Sequence, residues 1–127
     1  MIHRVAILSS LIALPAYGLD PSTLPEPQRE CHFRGAAAAM YMAERQTGGK
    51  SLDAWLARID RGEADMGAEA AQALRQLFRM AYQTPRFDDR EQVSRAVTAF
   101  GDAQVEACYR EHGLTLPAPT LGPLPLP

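Results

Sequence analysis

Residues 28–47 read QRECHFRGAAAAMYMAERQT, and this stretch decides the fold because it joins a cysteine to an uninterrupted helical pattern. Small and apolar side chains recur in it every three or four residues: Cys31, Gly35, Ala38 and Met42. The alanines at 36–39 have high helix propensity and let another helix approach closely. Gly48 and Gly49 follow the pattern, which therefore predicts a first helix at about 28–47.

The next two segments show the same periodicity. Ser51 is a suitable cap for an apolar face that runs to Gly62, which predicts a second helix at about 52–61. Asp65 is a candidate cap for a third helix at about 67–83, and Pro85 disfavours its continuation. The apolar faces of these two helices are formed by Leu52, Trp55, Leu56, Ile59, Ala70, Leu74, Leu77 and Ala81.

A fourth helix is predicted at about 89–112. Asp88 with Glu91 resembles a capping box, and Gly113 is a natural residue to end the helix. No useful length of chain alternates polar and apolar residues as a strand does. We therefore expect an all-α protein, a small up-down four-helix bundle with Trp55 and the methionines Met40, Met42, Met66 and Met80 in its core.

The two cysteines predict a disulfide that closes this bundle. Cys31 lies near the start of the first helix and Cys108 near the end of the fourth. In an up-down arrangement of four helices these positions share one end of the molecule. An even number of cysteines in an exported chain is typical of a disulfide framework.

Charged and metal-ligating residues accompany the cysteines. Glu30, His32, Glu111 and His112 form a candidate pH-responsive or ligand-binding cluster at the disulfide end. If the two imidazoles face each other, their pKa values fall; if the two carboxylates pair with them, the pKa values rise. We expect the carboxylate-paired case, because an acidic residue precedes each histidine. Two thiols and two imidazoles also match the ligand count of a structural zinc site, but the C-x2–4-C spacing of such sites is missing. We therefore expect no resident metal, no cofactor and no assigned catalytic residue.

The ends of the chain predict export and unstructured flanks. Val5 to Leu14 are uncharged and mostly apolar, and small residues at Ala16 and Gly18 fit a signal peptide at 1–18 cleaved after Gly18. Cleavage after Ala16 is the alternative. Residues 19–27 are rich in proline and predict an extended leader to a helical domain at 28–113. Residues 114–127 hold five prolines and five leucines and predict a flexible tail.

Composition limits the class of function. The 127-residue chain has 13 basic and 15 acidic residues and a formal net charge of −2, which argues against a nucleic-acid-binding protein that neutralises phosphates. No apolar run is long enough to predict a membrane span.

The layout resembles that of short, exported, all-helical proteins of Gram-negative bacteria with one cysteine pair. We expect a periplasmic or secreted non-enzymatic protein of the bacterial cell envelope that binds a protein or small-molecule partner. The alternative is a small enzyme, or a metal- or pH-responsive module, that uses the Glu/His cluster.

Overall fold

The structure is a computed structural model that describes residues 20–117, and it confirms the predicted all-helical bundle. The four helices are α1 (Gln28–Thr47), α2 (Leu52–Met66), α3 (Ala68–Gln83) and α4 (Arg90–Glu111). No strand occurs among the described residues. Within 20–117 no helix has both the length and the apolar character needed to cross a membrane. The predicted signal peptide and the tail beyond Pro117 lie outside the described residues.

The predicted leader contains a short helical turn. Residues Pro21–Thr23 form a 3-10 turn that packs against α1. The Asp20 carboxylate caps this turn by accepting a hydrogen bond of 3.0 Å from the backbone N–H of Ser22. The Ser22 hydroxyl also donates to this carboxylate at 2.7 Å, and this side-chain hydrogen bond, followed by the backbone one, lowers the pKa of Asp20.

The predicted end of the second helix is wrong, because α2 continues through Gly62 to Met66. Glycine disfavours a helix interior by only about 1 kcal/mol, and contacts between helices offset this cost. Arg75 of α3 pairs with Asp60 at 2.7 Å and with Glu63 at 3.1 Å, on either side of Gly62. The helix ends at Gly67, which adopts a positive φ of 94° and leads directly into α3.

Two of the predicted helix caps are also corrected. Asp65 lies inside α2 and does not cap α3, which starts from Gly67. At the start of α4 the capping side chain is Asp89 rather than Asp88, since its carboxylate accepts from the N–H of Glu91 at 3.2 Å. The predicted Ser51 cap is confirmed, with its hydroxyl accepting from the N–H of Ala54 at 3.1 Å.

The predicted C-terminal glycine of α4 is confirmed. Gly113 has a φ of 65°, and its N–H donates to the carbonyl of Arg110 at 3.1 Å. The N–H of Leu114 donates to the carbonyl of Tyr109 at 2.9 Å, which completes a Schellman motif. Leu114 also packs against the buried cluster of Cys31, Val105, Cys108 and Tyr109.

The helices lie side by side in the spatial order α4, α1, α3, α2. Helices α1 and α4 run antiparallel, and their backbones lie close together where Gly35 faces Gly101. Helices α1 and α3 contact each other in their C-terminal halves, where the rings of Tyr41 and Phe78 lie 4.6 Å apart. Within 20–117, α3 and α4 make no extended contact with each other.

The prediction that the methionines fill the core holds for Met42, which is 1% exposed. It is wrong for the other three, since Met40, Met66 and Met80 are 67%, 41% and 47% exposed. Trp55 does belong to a core cluster, where its ring stacks on Phe78 at 4.8 Å. The helices are thus joined by a small core that leaves several large apolar side chains in solvent.

Candidate functional site

The disulfide end is organised by the bond between Cys31 and Cys108, which confirms the predicted pair. The two Cα atoms are 5.4 Å apart, and both residues are buried. The bond fixes the first turns of α1 to the last turns of α4 and so positions the residues that follow each cysteine.

His32 is buried and faces Tyr109 across the two helices. Its Nε2 atom lies 2.9 Å from the tyrosine hydroxyl, and the two rings are nearly perpendicular at a centroid distance of 5.6 Å. Burial lowers the pKa of His32 and raises the pKa of Tyr109. The pairing of His32 with a carboxylate, which would raise its pKa, was the sequence-based expectation, and the direction found is the opposite.

Glu111 is held by an arginine. Arg34 of α1 donates two hydrogen bonds to its carboxylate, at 2.9 and 3.3 Å. These hydrogen bonds, and then the guanidinium charge, lower the pKa of Glu111. The carboxylate is therefore kept ionised near neutral pH, which suits an ion pair better than a general acid.

The other two members of the predicted cluster are exposed. His112 is the residue after α4, and one ring nitrogen lies with the two sulfurs in a set whose atoms are all within 4.8 Å of one another. Glu30 lies in the first turn of α1, and its N–H donates to Glu26 at 3.3 Å. All four predicted residues thus lie at the disulfide end, in four different environments. Their joint role as a ligand or pH-responsive cluster stays a prediction.

A zinc site of the type considered from the sequence would need both sulfurs as thiolates. In the structure the sulfurs are bonded to each other, and His32 is engaged with Tyr109. The oxidised protein therefore presents His112 alone of the four proposed ligands.

An open groove of about 990 Å³ lies between α1, α3 and the end of α4. Ala37 and Tyr41 of α1 lie along one side, and α3 contributes Ala70, Ala73 and Leu77. Two of the three exposed methionines that the sequence placed in the core, Met66 and Met80, lie at this groove. Its charged residues are Glu30, Arg34, Glu69 and Glu111. Neither His32 nor His112 lines it.

A second cavity of about 530 Å³ lies between the end of α1 and the first half of α4. Met42, Phe87 and Phe100 contribute to its apolar lining, and Arg95 lies at its edge. No cysteine, histidine or carboxylate lines it. The groups needed for acid–base or metal chemistry are therefore absent from this cavity.

No family model, curated protein or solved structure matches this chain.

Sequence reasoning missed Tyr109 and Arg34, the partners of His32 and Glu111. A signal was present, because all four residues lie within one turn of a bonded cysteine. His32 and Tyr109 each follow a cysteine by one residue, and Arg34 and Glu111 each follow by three. Because α1 and α4 run antiparallel, these offsets point in opposite directions along the two helix axes. His32 and Tyr109 therefore meet because both lie close to the bond, and the long Arg34 side chain spans the larger distance to Glu111.

Proposed function

We propose that this chain is an exported, non-enzymatic binding protein of the bacterial cell envelope, and that the groove between α1, α3 and α4 is its binding surface. The observation that carries the proposal is the set of apolar side chains that line the open groove, above all Met66 and Met80. Exposed apolar surface of this kind is typical of interaction sites. Methionine is common on surfaces that adapt to partners, because its side chain is flexible and polarizable.

Export is supported by the disulfide and by the N-terminal sequence. Cys31 and Cys108 are bonded, and disulfides persist in oxidising compartments such as the periplasm. The apolar residues 5–14 and the small residues Ala16 and Gly18 fit a cleavable signal. A mature chain that begins at Leu19 and is recovered oxidised from the periplasmic or extracellular fraction would support this part of the proposal. A cytoplasmic, uncleaved chain would contradict it.

The alternative is a pH-responsive module at the disulfide end, which the burial of His32 favours. A buried imidazole with a lowered pKa couples protonation to the loss of native packing. An enzyme that uses the same cluster is less well supported. Glu111 is held ionised by Arg34, and His32 is enclosed rather than presented to the groove.

The binding surface is tested with the fluorescent apolar probe bis-ANS. Ala73 is exposed and lines the groove, so an Ala73→Arg variant places a charge in the site without disturbing the core. Ala57 is exposed on α2 and lies outside the groove, so Ala57→Arg is the matched control. We expect probe fluorescence with the wild-type protein and with Ala57→Arg, and a strong loss with Ala73→Arg. Equal fluorescence from all three proteins would exclude the groove as the apolar site.

A further inference from the structure

Resting on the proposed function, we propose that the groove takes a cationic amphipathic helix of a partner protein, about three turns long. The groove is long enough to hold a short helix. Its lining runs from Glu30 to Tyr41 on α1 and from Ala68 to Met80 on α3. At about 1.5 Å per residue each wall is about 16–18 Å long, which matches three turns of a helix.

The neighbouring helices leave room for a further helix. Helices α3 and α4 both pack against α1, and within 20–117 they make no extended contact with each other. Their separation leaves a position beside α1 where a further helix can lie with its axis about 8–10 Å from those of its neighbours. A helix in this position would contact α1 and α3, and would meet the end of α4 at Gln104 and Glu111.

The side chains of the groove have sizes that suit a helical partner. Ala37, Ala70 and Ala73 are small and allow the partner to approach closely. Met66 and Met80 extend from the same surface and can adjust to apolar side chains that repeat at helical spacing. The groove therefore offers close approach in its centre and adaptable apolar contacts towards its ends.

The main-chain groups and ring content of the groove disfavour two other peptide conformations. A β-strand partner needs an exposed strand edge, and residues 20–117 contain no strand. A polyproline partner needs several aromatic rings, and Tyr41 is the one aromatic residue of the groove lining. Recognition of an apolar helical face is the mode that remains compatible with both observations.

The charge of the groove favours a cationic partner. Arg34 and Glu111 neutralise each other as an ion pair at 2.9 Å. Glu30 and Glu69 remain as the other charged groups of the lining, so the groove carries an excess of negative charge. Complementary positive charge on the polar face of the partner helix would steer its approach and disfavour acidic partners.

The test uses two synthetic peptides of about 14 residues with leucines at helical spacing, one with lysine and one with glutamate at all other positions. Binding is measured by isothermal titration calorimetry with the wild-type protein, with Ala73→Arg and with the control Ala57→Arg. We expect the lysine peptide to bind wild type and the control at least about tenfold more tightly than the glutamate peptide. We expect Ala73→Arg to weaken it at least about tenfold. The double variant Glu30→Gln/Glu69→Gln should reduce the preference between the peptides.

Each failure has a different meaning. If bis-ANS reports the groove but the glutamate peptide binds as tightly as the lysine peptide, the partner class is wrong and the binding proposal stands. If neither peptide nor probe responds to Ala73→Arg, both proposals are overturned.

Two further measurements identify other occupants. A dimer in sedimentation equilibrium that Ala73→Arg dissociates would assign the groove to a second copy of the chain. A rise in probe fluorescence on truncation after Pro117 would assign it to the chain's own C-terminal residues.

Discussion

The Nε2 atom of His32 and the hydroxyl of Tyr109 are 2.9 Å apart and join α1 to α4 beside the disulfide. The two residues are 5% and 3% exposed, so the hydrogen bond is shielded from water. A neutral imidazole satisfies this arrangement, whereas an imidazolium would be buried as a charge. Protonation of His32 is therefore coupled to the stability of the fold.

We predict that the protein loses stability as pH falls through the histidine range. Burial lowers the pKa of His32 in the folded state, while the unfolded chain has a value near about 6.5. As the pH falls, the unfolded state thus binds the proton before the folded state does. The stability that neutral His32 contributes is therefore fully present above about pH 6.5 and is lost as the pH falls below that value. Each unit by which the pKa is lowered corresponds to about 1.4 kcal/mol at the acidic limit.

Denaturant unfolding at pH 7.5 and 5.5, about one unit either side of the unfolded value, measures this effect. Wild type and the exposed control His112→Gln should lose stability between the two pH values. The His32→Gln variant should lose less, because glutamine does not titrate. An identical pH dependence in all three proteins would show that His32 does not couple protonation to folding.

The contrast between sequence and structure at His32 has a physical cause. In the sequence Glu30 lies two residues before His32 and Glu111 directly before His112, and proximity along the chain favours pairing with carboxylates. Which side chain faces His32 depends on the rotation of α4 about its axis, which brings Tyr109 to the histidine and turns Glu111 to Arg34. Spacing along one helix does not determine this rotation.

Where α1 and α4 cross, we expect a glycine-to-alanine substitution to destabilise the protein, unlike in most helices. A Cβ atom on Gly101 would lie 2.9 Å from the carbonyl oxygen of Gly35, and one on Gly35 would lie 3.0 Å from the carbonyl of Gly101. Alanine normally stabilises a helix interior relative to glycine by about 1 kcal/mol. Here the clash should dominate, and we expect Gly101→Ala to lower the free energy of unfolding by about 1–3 kcal/mol.

Gly62 offers the matched control. It lies in the interior of α2, and an added Cβ would meet only the end of Met66 at 3.9 Å. We expect Gly62→Ala to raise stability by about 0.5–1 kcal/mol in the same chemical denaturation experiment. If Gly101→Ala proved as stabilising as Gly62→Ala, the close approach of α1 and α4 would be wrong.

The side chain of Gln46 fixes the connection between α3 and α4 through two hydrogen bonds. Its buried amide donates to the carbonyl of Pro85 at 2.8 Å and accepts from the N–H of Phe87 at 2.9 Å. Truncation would leave both backbone groups without these hydrogen bonds, and we expect Gln46→Ala to cost about 2–3 kcal/mol. The exposed Gln72→Ala on α3 should change stability by less than about 0.5 kcal/mol. Thermal unfolding followed by circular dichroism distinguishes the two.

Because of the disulfide, we expect the stability of the protein to depend on redox conditions. The bond joins residues 77 positions apart. For a loop of this length the chain-entropy model gives about 4.5 kcal/mol, which is comparable to the total stability of a small domain. We expect the reduced protein, or Cys31→Ser/Cys108→Ser, to melt at a much lower temperature than the oxidised protein. An unchanged midpoint, with oxidation verified by mass beforehand, would show that the bond is not a stabilising element.

The helices and the disulfide could be predicted from the sequence because their signals are local or follow from the topology. Helical spacing, the Ser51 cap and Gly113 each act within one turn. Gly62 was misread because Arg75, which binds carboxylates on both sides of it, comes from another helix. The groove could not be predicted, since it depends on α3 and α4 remaining apart. Periodicity identifies Met80 as apolar but gives no information on whether another helix covers it.

Leu114 packs against the helical domain, although it is the first residue of the predicted tail. Its N–H completes the Schellman motif at the end of α4, and its side chain packs on the cluster that contains the disulfide. The sequence placed it in a flexible tail at 114–127, and this packing ties the first residue of that tail to the helical domain. We therefore compare truncation after Pro117 with truncation after Gly113. The first should leave the unfolding midpoint unchanged, because it keeps Leu114. The second removes a hydrogen bond and an apolar contact and should lower stability by about 1–2 kcal/mol. Equal midpoints for the two truncated proteins would mean that Leu114 contributes nothing, and the domain would then end at Gly113.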